Sequence, residues 1–385
     1  MKVLYISTAD YKYGAAKTQI DMILELKKQF DVVPVVLTKK HNAFNELCNK
    51  HGIENYSYWY RDIMAGSAYS NSILNVLKHI VKYVLYLKGG LTQKGVLSCG
   101  IKWEEIDIIH SNHIRIDIGA YIRRKTGIPH IWHIKELNKG HIKIIHYKMH
   151  CYQYINKNAD KFIAVTNQVK DYWQRTGLDS KKIEVIYEGI DIDKFLSVER
   201  HRTDDELKMV CVGRVEKSKG QLQILQAMTM LPFDIREKVT LDLIGEPYLD
   251  YLHQLKNFIK NNGLENQVSF KGYCEDIPQI LAGYDVGILA SKGDAFGTVT
   301  AEYMAAGLLT IATYTELIEH KKTGLRYEFD DIKQLNENIC FAYRNKEAAR
   351  KIAMEGKREI SLNYSIAQNA GEVYQLYKKV MKDER

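Results

Sequence analysis

Short apolar runs alternate along this chain with amphipathic stretches of helical period. In the first half the runs Lys2–Ser7, Asp31–Leu37, Ile106–Ser111, Ile128–His133, Lys161–Thr166 and Ile183–Tyr187 read as buried strands. Helical periodicity falls between them at Lys17–Phe30, Asn42–Lys50, Ser72–Lys88 and Gln168–Arg175. The alternation resumes with strands at Lys208–Val212, Thr240–Gly245, Val268–Gly272, Val286–Ser291, Leu309–Thr313 and Leu325–Phe329. Helices are predicted there at Gln221–Met230, Tyr248–Asn262, Asp276–Gly283, Thr298–Ala306, 331–345 and 347–357, with a last one at Ile366–Met381. Strand and helix in turn predict the α/β class, with open parallel sheets. Residues 52–72 read as irregular, and Gly89-Gly90 as the stop of the preceding helix. The polar, aperiodic stretch 196–206 reads as a linker between domains 1–195 and 207–360, with 361–385 as a closing helix.

Charge adds one asymmetry. Residues 1–190 hold 28 Lys+Arg and 17 Asp+Glu, net +11, while the remainder holds 27 and 30, net −3. A basic first half suits an anionic surface or acceptor, and generic solubility charge reads the same way. No Arg-rich helix, zinc finger or RNP-type signature points to nucleic acid. The helix 72–88 carries Lys78, Lys82 and Lys88 beside Ile73, Leu74, Leu77, Ile80, Val81 and Val84. That pattern fits an anionic membrane surface or a core-facing helix. Lys2 runs at once into a strand-like segment, no apolar run reaches membrane-spanning length, and the six cysteines form no CxxC pair. These features predict a cytoplasmic protein with reduced thiols.

Candidate chemistry collects where strands run into helices, since open α/β sheets bind ligands at the carboxyl ends of their strands. After the first strand, small residues Gly14-Ala15-Ala16 would let backbone approach a ligand, though the loop is not GxGxxG. His113, His133 and Glu136 fall at later strand ends without a third ligand in metal register. In the second half, Gly213-Arg214 with Lys219-Gly220 offers one guanidinium and one ammonium, a pair suited to a diphosphate. Asp294 and Glu302 flank Phe296, Gly297, Thr298 and Val299 across a strand-to-helix turn, carboxylates beside helix-start amides. Solvent-facing charge and simple capping are the alternative reading of each.

Order and spacing of these pieces over about 190–330 resemble the retaining glycosyltransferases of the GT-B fold, family 4. The matching residues are Val212-Gly213-Arg214, Lys219-Gly220, Leu243-Ile244-Gly245, Val268–Gly272, Asp294-Ala295-Phe296-Gly297, Glu302, Glu316 and Lys322-Thr323-Gly324. The first half matches through Gly14-Ala15, His133–Glu136 and Ile186–Asp191. The resemblance implies two Rossmann-like domains facing across a cleft, with the last helix crossing back to the first. It implies Asp294, His133, Arg214 and Lys219 as the catalytic set. Gly14, Gly213, Tyr273, Phe296, Gly297, Thr298, Val299 and Glu302 would bind the donor. Arg214 and Lys219 would neutralise the diphosphate, Glu302 would hold the ribose, Asp294 and His133 the sugar, and Tyr273 would border the base. The reaction would retain configuration without metal or cofactor, moving a hexose or N-acetylhexosamine from a nucleotide sugar, a UDP-sugar favoured. The acceptor would be a glycan or lipid-linked saccharide of surface polysaccharide synthesis. Two departures stand out: Asp294 replaces the family's usual Glu, and the loop before Glu316 is about four residues short of the usual Gly-Gly loop. They keep open a sugar-nucleotide epimerase and a non-catalytic partner module of the same fold.

Overall fold

Lys2–Ser7 contains five fully buried residues in succession, which suits a strand covered on both faces. It is β1 in the computed structural model, which describes residues 1–7, 14–68, 73–137, 142–196 and 205–383. Parallel partners follow as β2 (Val33–Thr38), β3 (Glu54–Ser57), β5 (Ile108–Ser111), β6 (His130–Ile134), β8 (Lys161–Ala164) and β9 (Ile183–Val185). Their order is β3-β2-β1-β5-β6-β8-β9. A separate antiparallel pair joins β4 (Met64–Ala68) to β7 (Ile142–His146). One face of the sheet packs Val3, Tyr5 and Ile131 against helix Gly14–Phe30 and helix Ile366–Asp383. The other buries Leu4, Ile6 and Ile109 with Ile118 and Ile122. The closing helix belongs to this unit, which comprises Met1–Gly189 and Ile366–Arg385, and Phe30 stacks on Tyr374 at 4.5 Å.

The second unit is Ile190–Ser365. Its strands are β10 (Leu207–Val212), β11 (Val239–Ile244), β12 (Val268–Gly272), β13 (Val286–Leu289), β14 (Leu309–Ala312) and β15 (Leu325–Arg326). They lie parallel in the order β12-β11-β10-β13-β14-β15. Helix Thr298–Ala305 sits on β13 because Gly287 has no side chain: a Cβ there would run into the Tyr303 ring. The Tyr303 hydroxyl accepts the Val212 N–H at 2.6 Å, so one ring ties the helix to two strands.

Several expectations need correction. Residues 52–72 are not irregular throughout, since β3 and β4 form there, and residues 69–72 lie outside the described residues. Glu54–Ser57 is a polar edge strand, held by backbone pairing with β2 and not by apolar burial. Gly89-Gly90 does not stop its helix, which runs Ile73–Thr92. A Cβ on Gly89 would meet Trp59 and Arg61, so the glycine serves close packing there. Helices Ile118–Thr126 and Cys151–Lys157 were not foreseen, and Lys346–Asn363 runs on past 357. The units divide at Gly189/Ile190, earlier than the stretch 196–206, of which 197–204 lies outside the described residues. The Ile190 N–H donates to the Tyr364 carbonyl at 3.0 Å, which binds that residue into the second unit.

Three histidines are buried in the first sheet. Burial, with Lys135 nearby, lowers His110 to about 3. Burial lowers His130 to about 4, although its bond to the Asn158 carbonyl and Asp160 pull the other way. His133 is pushed well below its ordinary 6.5 by burial, then by Lys135 and His110. Their folded forms stay neutral while the unfolded chain takes protons below pH 6.5, so stability is full above that value and falls as pH drops.

Two predictions follow from this packing. Gly287→Ala should destabilise the second unit by about 1–3 kcal/mol through overpacking, read from denaturant melts. The same melts on the wild type should show stability falling from pH 6.5 towards 4, by about 1.4 kcal/mol per pH unit for each histidine that stays neutral. A flat profile over that window would contradict the neutral burial of these rings.

Candidate functional site

In the second sheet the chain runs from β10 outward to β12, then returns to the other side of β10 as β13. The loops leaving β10 and β13 therefore diverge and open a crevice between their strand ends. Arg214 and Lys219 follow β10; Asp294 and Glu302 follow β13.

The first loop is a short 3-10 turn, Lys217–Lys219, closed by Gly220 at φ 68°. A Cβ on Gly220 would collide with the Ala290 carbonyl. Glycine thus lets this turn rest on the end of β13, and the Lys292 N–H reaches the Ser218 carbonyl at 3.3 Å. The consequence is an ion pair: Lys219 Nζ lies 2.9 Å from Asp294 Oδ1, both side chains about 30% exposed or less, at 31% and 26%. Arg214 donates from Nη1 to Glu216 Oε2 at 3.4 Å and to the Tyr248 hydroxyl at 3.3 Å. Its guanidinium carbon lies 5.7 Å from the Tyr248 ring centre. The Glu216 backbone carbonyl also accepts the Lys219 backbone N–H at 2.9 Å, which closes the turn between the two cationic residues. Buried Gln221 holds the Arg214 carbonyl at 2.9 Å.

On the β13 side, Gly297 takes φ 80° and caps helix Thr298–Ala305. The helical ladder begins with the Ala301 N–H on the Gly297 carbonyl at 3.2 Å. Glu302 stands on the second turn, 6% exposed, and its register follows from the neighbouring Tyr303 clamp. Phe296 is buried, its ring 6.1 Å from Tyr364. The short loop after β14 is tied in by Thr313 Oγ1 to the Ser291 carbonyl at 2.7 Å and by Thr315 Oγ1 to the Phe296 carbonyl at 3.4 Å. The fold thus brings Gly213, Arg214, Lys219, Asp294, Glu302 and residues 296–299 to one edge of one sheet. Tyr273 is exposed beyond Gly272, at the end of β12 and two strands from β10.

The first unit holds the remaining two expected residues. Gly14 opens helix Gly14–Phe30, and the loop 8–13 before it lies outside the described residues. His133 is 1% exposed on β6, next to β5, and β5 with β1 flanks this sheet's own reversal of order. His133 Nδ1 lies 3.1 Å from His110 Nε2. His110 Nδ1 lies 2.6 Å from the Tyr377 hydroxyl, which donates to the Tyr5 hydroxyl at 3.4 Å. His133 Nε2 is buried without a hydrogen-bond partner. Next along the chain, Lys135 pairs with Glu188 at 2.7 Å, both nearly buried, and donates to Thr18 Oγ1 at 2.9 Å. Glu136 contacts His113. Burial alone would raise its carboxyl, but the charge and hydrogen bond of His113, with Arg115, outweigh it and hold the group low.

Sequence reasoning missed Glu216, Tyr248, Tyr303, His110 and Tyr377. Tyr303 adjoins Glu302 and could have drawn notice, whereas Tyr377 meets His110 across 267 positions. No pattern in the sequence signals such a pairing.

Comparison with known proteins bears on this edge. Residues 193–359 match the family described as glycosyl transferases group 1, and residues 78–194 match glycosyltransferase family 4. An uncharacterized glycosyltransferase of Methanocaldococcus jannaschii is 24% identical over 239 residues, 59% of this chain and 60% of that relative. The N-acetylgalactosamine-N,N'-diacetylbacillosaminyl-diphospho-undecaprenol 4-alpha-N-acetylgalactosaminyltransferase of Campylobacter jejuni is 26% identical over 209 residues, 49% of this chain and 54% of that relative. The chain thus spans a little over half the length of each. Among solved structures, Anabaena HepE in complex with UDP superimposes with a TM-score of 0.79 at 21% identity, covering 98% of this chain and 100% of that one. That likeness gives the fold, two Rossmann-like units of the kind found in GT-B glycosyltransferases. Both matched segments together run from 78 to 359 and include Arg214, Lys219, Asp294 and Glu302, and the chain belongs to this family of glycosyltransferases, group 1 and family 4.

Proposed function

We propose that this chain moves a hexose or N-acetylhexosamine from a nucleotide diphosphate sugar, a UDP-sugar first, to a glycan or lipid-linked acceptor of surface polysaccharide synthesis. The observation that carries the reading is the Lys219–Asp294 pair beside Arg214 at the β10/β13 crevice. Half-exposed ion pairs contribute roughly 0–1 kcal/mol, so a diphosphate with two or more charges can draw Lys219 away from Asp294. Lys219 and Arg214 then neutralise charge that grows on the leaving diphosphate as the glycosidic bond breaks. Asp294, released, accepts hydroxyls of the sugar, and Glu302 accepts those of the ribose. The transition state is oxocarbenium-like, with retention of configuration and no metal required. The complex of HepE with UDP supports the choice of nucleotide.

The acceptor side of the proposal rests on helix Ile73–Thr92. Its inner stripe, Tyr86 and Gly89, is buried, as is Gln93 just past its end, and Arg61 holds it by donating to the Tyr86 carbonyl at 2.9 Å. The opposite face carries Leu77, Ile80, Val81, Val84, Leu85, Leu87 and Leu91, each between 45% and 71% exposed, with Lys88 among them. Among the described residues no helix is long and apolar enough to cross a membrane. An exposed apolar face with lysines suits an anionic lipid surface. The undecaprenol-linked substrate in the name of the Campylobacter relative supports a lipid-linked acceptor.

Incubation with UDP- and GDP-sugars should release nucleotide. Asp294→Ala should slow that release by about 100-fold or more, and Glu302→Gln should weaken UDP binding by about 10–100-fold. Equal release by wild type and both variants would reject the site. An epimerised sugar nucleotide formed with no acceptor and no net nucleotide release would point to an epimerase, and no binding of a nucleoside diphosphate in calorimetry to a non-catalytic module. The chain should also sediment with anionic liposomes, less so as salt rises. Changing Lys78, Lys82 and Lys88 to Glu should cut that partition by roughly two orders of magnitude, at about 1 kcal/mol per lysine. Unchanged sedimentation would clear this helix of the role.

A further inference from the structure

The loop after β7 brings two cations to one aromatic ring. Lys148 Nζ lies 4.0 Å from the centre of the Tyr154 ring. The Arg124 guanidinium carbon lies 5.4 Å from that same centre and 5.9 Å from the Tyr121 ring. Tyr121 and Arg124 are one turn apart on helix Ile118–Thr126, and Tyr154 stands on helix Cys151–Lys157. Among the described residues neither cation is paired with a carboxylate; Arg124 Nε reaches only the Ala120 carbonyl, at 3.4 Å. The acid bonded to the Tyr154 hydroxyl is already engaged. Asp117 takes that hydroxyl at 2.7 Å, Arg61 Nε at 2.8 Å and Gln93 Nε2 at 3.2 Å. Cations are drawn to the ring face, but two of them at one ring repel each other, and an anion would relieve that repulsion.

These cations adjoin helix Ile73–Thr92. Tyr147, the residue before Lys148, packs its ring 6.4 Å from Tyr83 and 5.9 Å from Tyr86 of that helix. Its hydroxyl lies 3.3 Å from His79 Nδ1. Met149, the residue after Lys148, is 83% exposed. Asp117 ties the two places together, because Arg61 also holds the Tyr86 carbonyl and Gln93 follows the helix directly. One buried carboxylate thus fixes both the helix and the Tyr154 ring. A guanidinium fork and an ammonium suit phosphate oxygens. A soluble anion would use the cations and leave the apolar helix face and Met149 idle; a lipid surface uses all of them.

We propose that Lys148 and Arg124, held at Tyr154, take the phosphates of anionic phospholipids while Met149 enters the apolar layer, a second membrane contact beside the helix. The proposal rests on the reading above that helix Ile73–Thr92 meets such a surface. It adds what a helix cannot supply by itself. An amphipathic helix lying on a bilayer is free to roll about its own axis. A second contact off that axis stops the rolling and sets the tilt of the first sheet against the membrane.

Sedimentation of the full chain with vesicles of phosphatidylcholine and phosphatidylglycerol tests this. The double variant Lys148→Ala with Arg124→Ala should lower partition by about 30-fold, the scale of two cations at an anionic surface, with far-UV circular dichroism unchanged. Removing the same charge elsewhere in the first unit, by Lys28→Ala with Lys50→Ala, should lower it by less than about threefold. Hydrogen exchange gives a second readout. On vesicles the amides of 148–150 should slow in the wild type and not in the Lys148/Arg124 variant, while those of helix Ile73–Thr92 slow in both. Equal losses in the two double variants would reduce the effect to net charge and overturn the proposal. So would a Lys148/Arg124 variant that loses soluble tripolyphosphate but keeps its hold on vesicles. A wild type that never sediments removes the helix reading along with this one. Sedimentation lost on changing Lys78, Lys82 and Lys88 to Glu, yet untouched by the Lys148/Arg124 pair, leaves the helix reading standing and rejects the second contact alone.

Discussion

One ring on one glycine governs the second unit. Tyr303 lies against β13 where Gly287 leaves room, and its hydroxyl takes the last backbone amide of β10. That contact fixes how helix Thr298–Ala305 sits across the two strands which border the crevice. Glu302 precedes Tyr303, so the carboxylate cannot move along or around the helix axis without pulling the ring off its glycine. The loop after Leu289 spans a set gap and delivers Asp294 to Lys219. Each element of the site is short and would be unstable alone; the packed ring makes their spacing definite.

The two units treat polar groups in opposite ways. At the β10/β13 edge the charges are half-exposed and mutually satisfied: Lys219 on Asp294, Arg214 on Glu216. Such pairs are weak enough to exchange partners. At the carboxyl edge of the first sheet the groups are buried and neutral, with His110 held near 3 by burial. A neutral ring in a dry core keeps one proton in one place, where a charged group would be paired or hydrated. The Lys135–Glu188 pair beside it is nearly buried and satisfied by Thr18, so removing either partner would strand a charge.

Helix Ile73–Thr92 shows how a sequence can carry two messages at one place. Its inner stripe packs through Tyr86 and through Gly89, where the missing side chain admits Trp59 and Arg61. Its outer face is apolar as well, and exposed. Helical periodicity alone reports an apolar stripe and cannot say which of two stripes meets the core. The double glycine reads locally as a helix stop; close packing against an aromatic ring overrides that preference.

The strands of both sheets were legible because parallel strands buried on both faces must be apolar throughout, as in Lys2–Ser7 and Val286–Leu289. The edge strand Glu54–Ser57 was not, because backbone bonds to β2 hold it and its side chains follow no apolar rule. The residue pattern alone gave the class, the strand-to-helix junctions, and the candidates Arg214, Lys219, Asp294 and Glu302, since each lies in the loop or on the helix that follows a strand. Only the tertiary structure decided which of them pair, that Tyr303 sets their register, and that Tyr377 reaches His110. Those contacts join residues dozens to hundreds of positions apart, and local propensity holds no record of what a distant side chain will touch once the chain has closed.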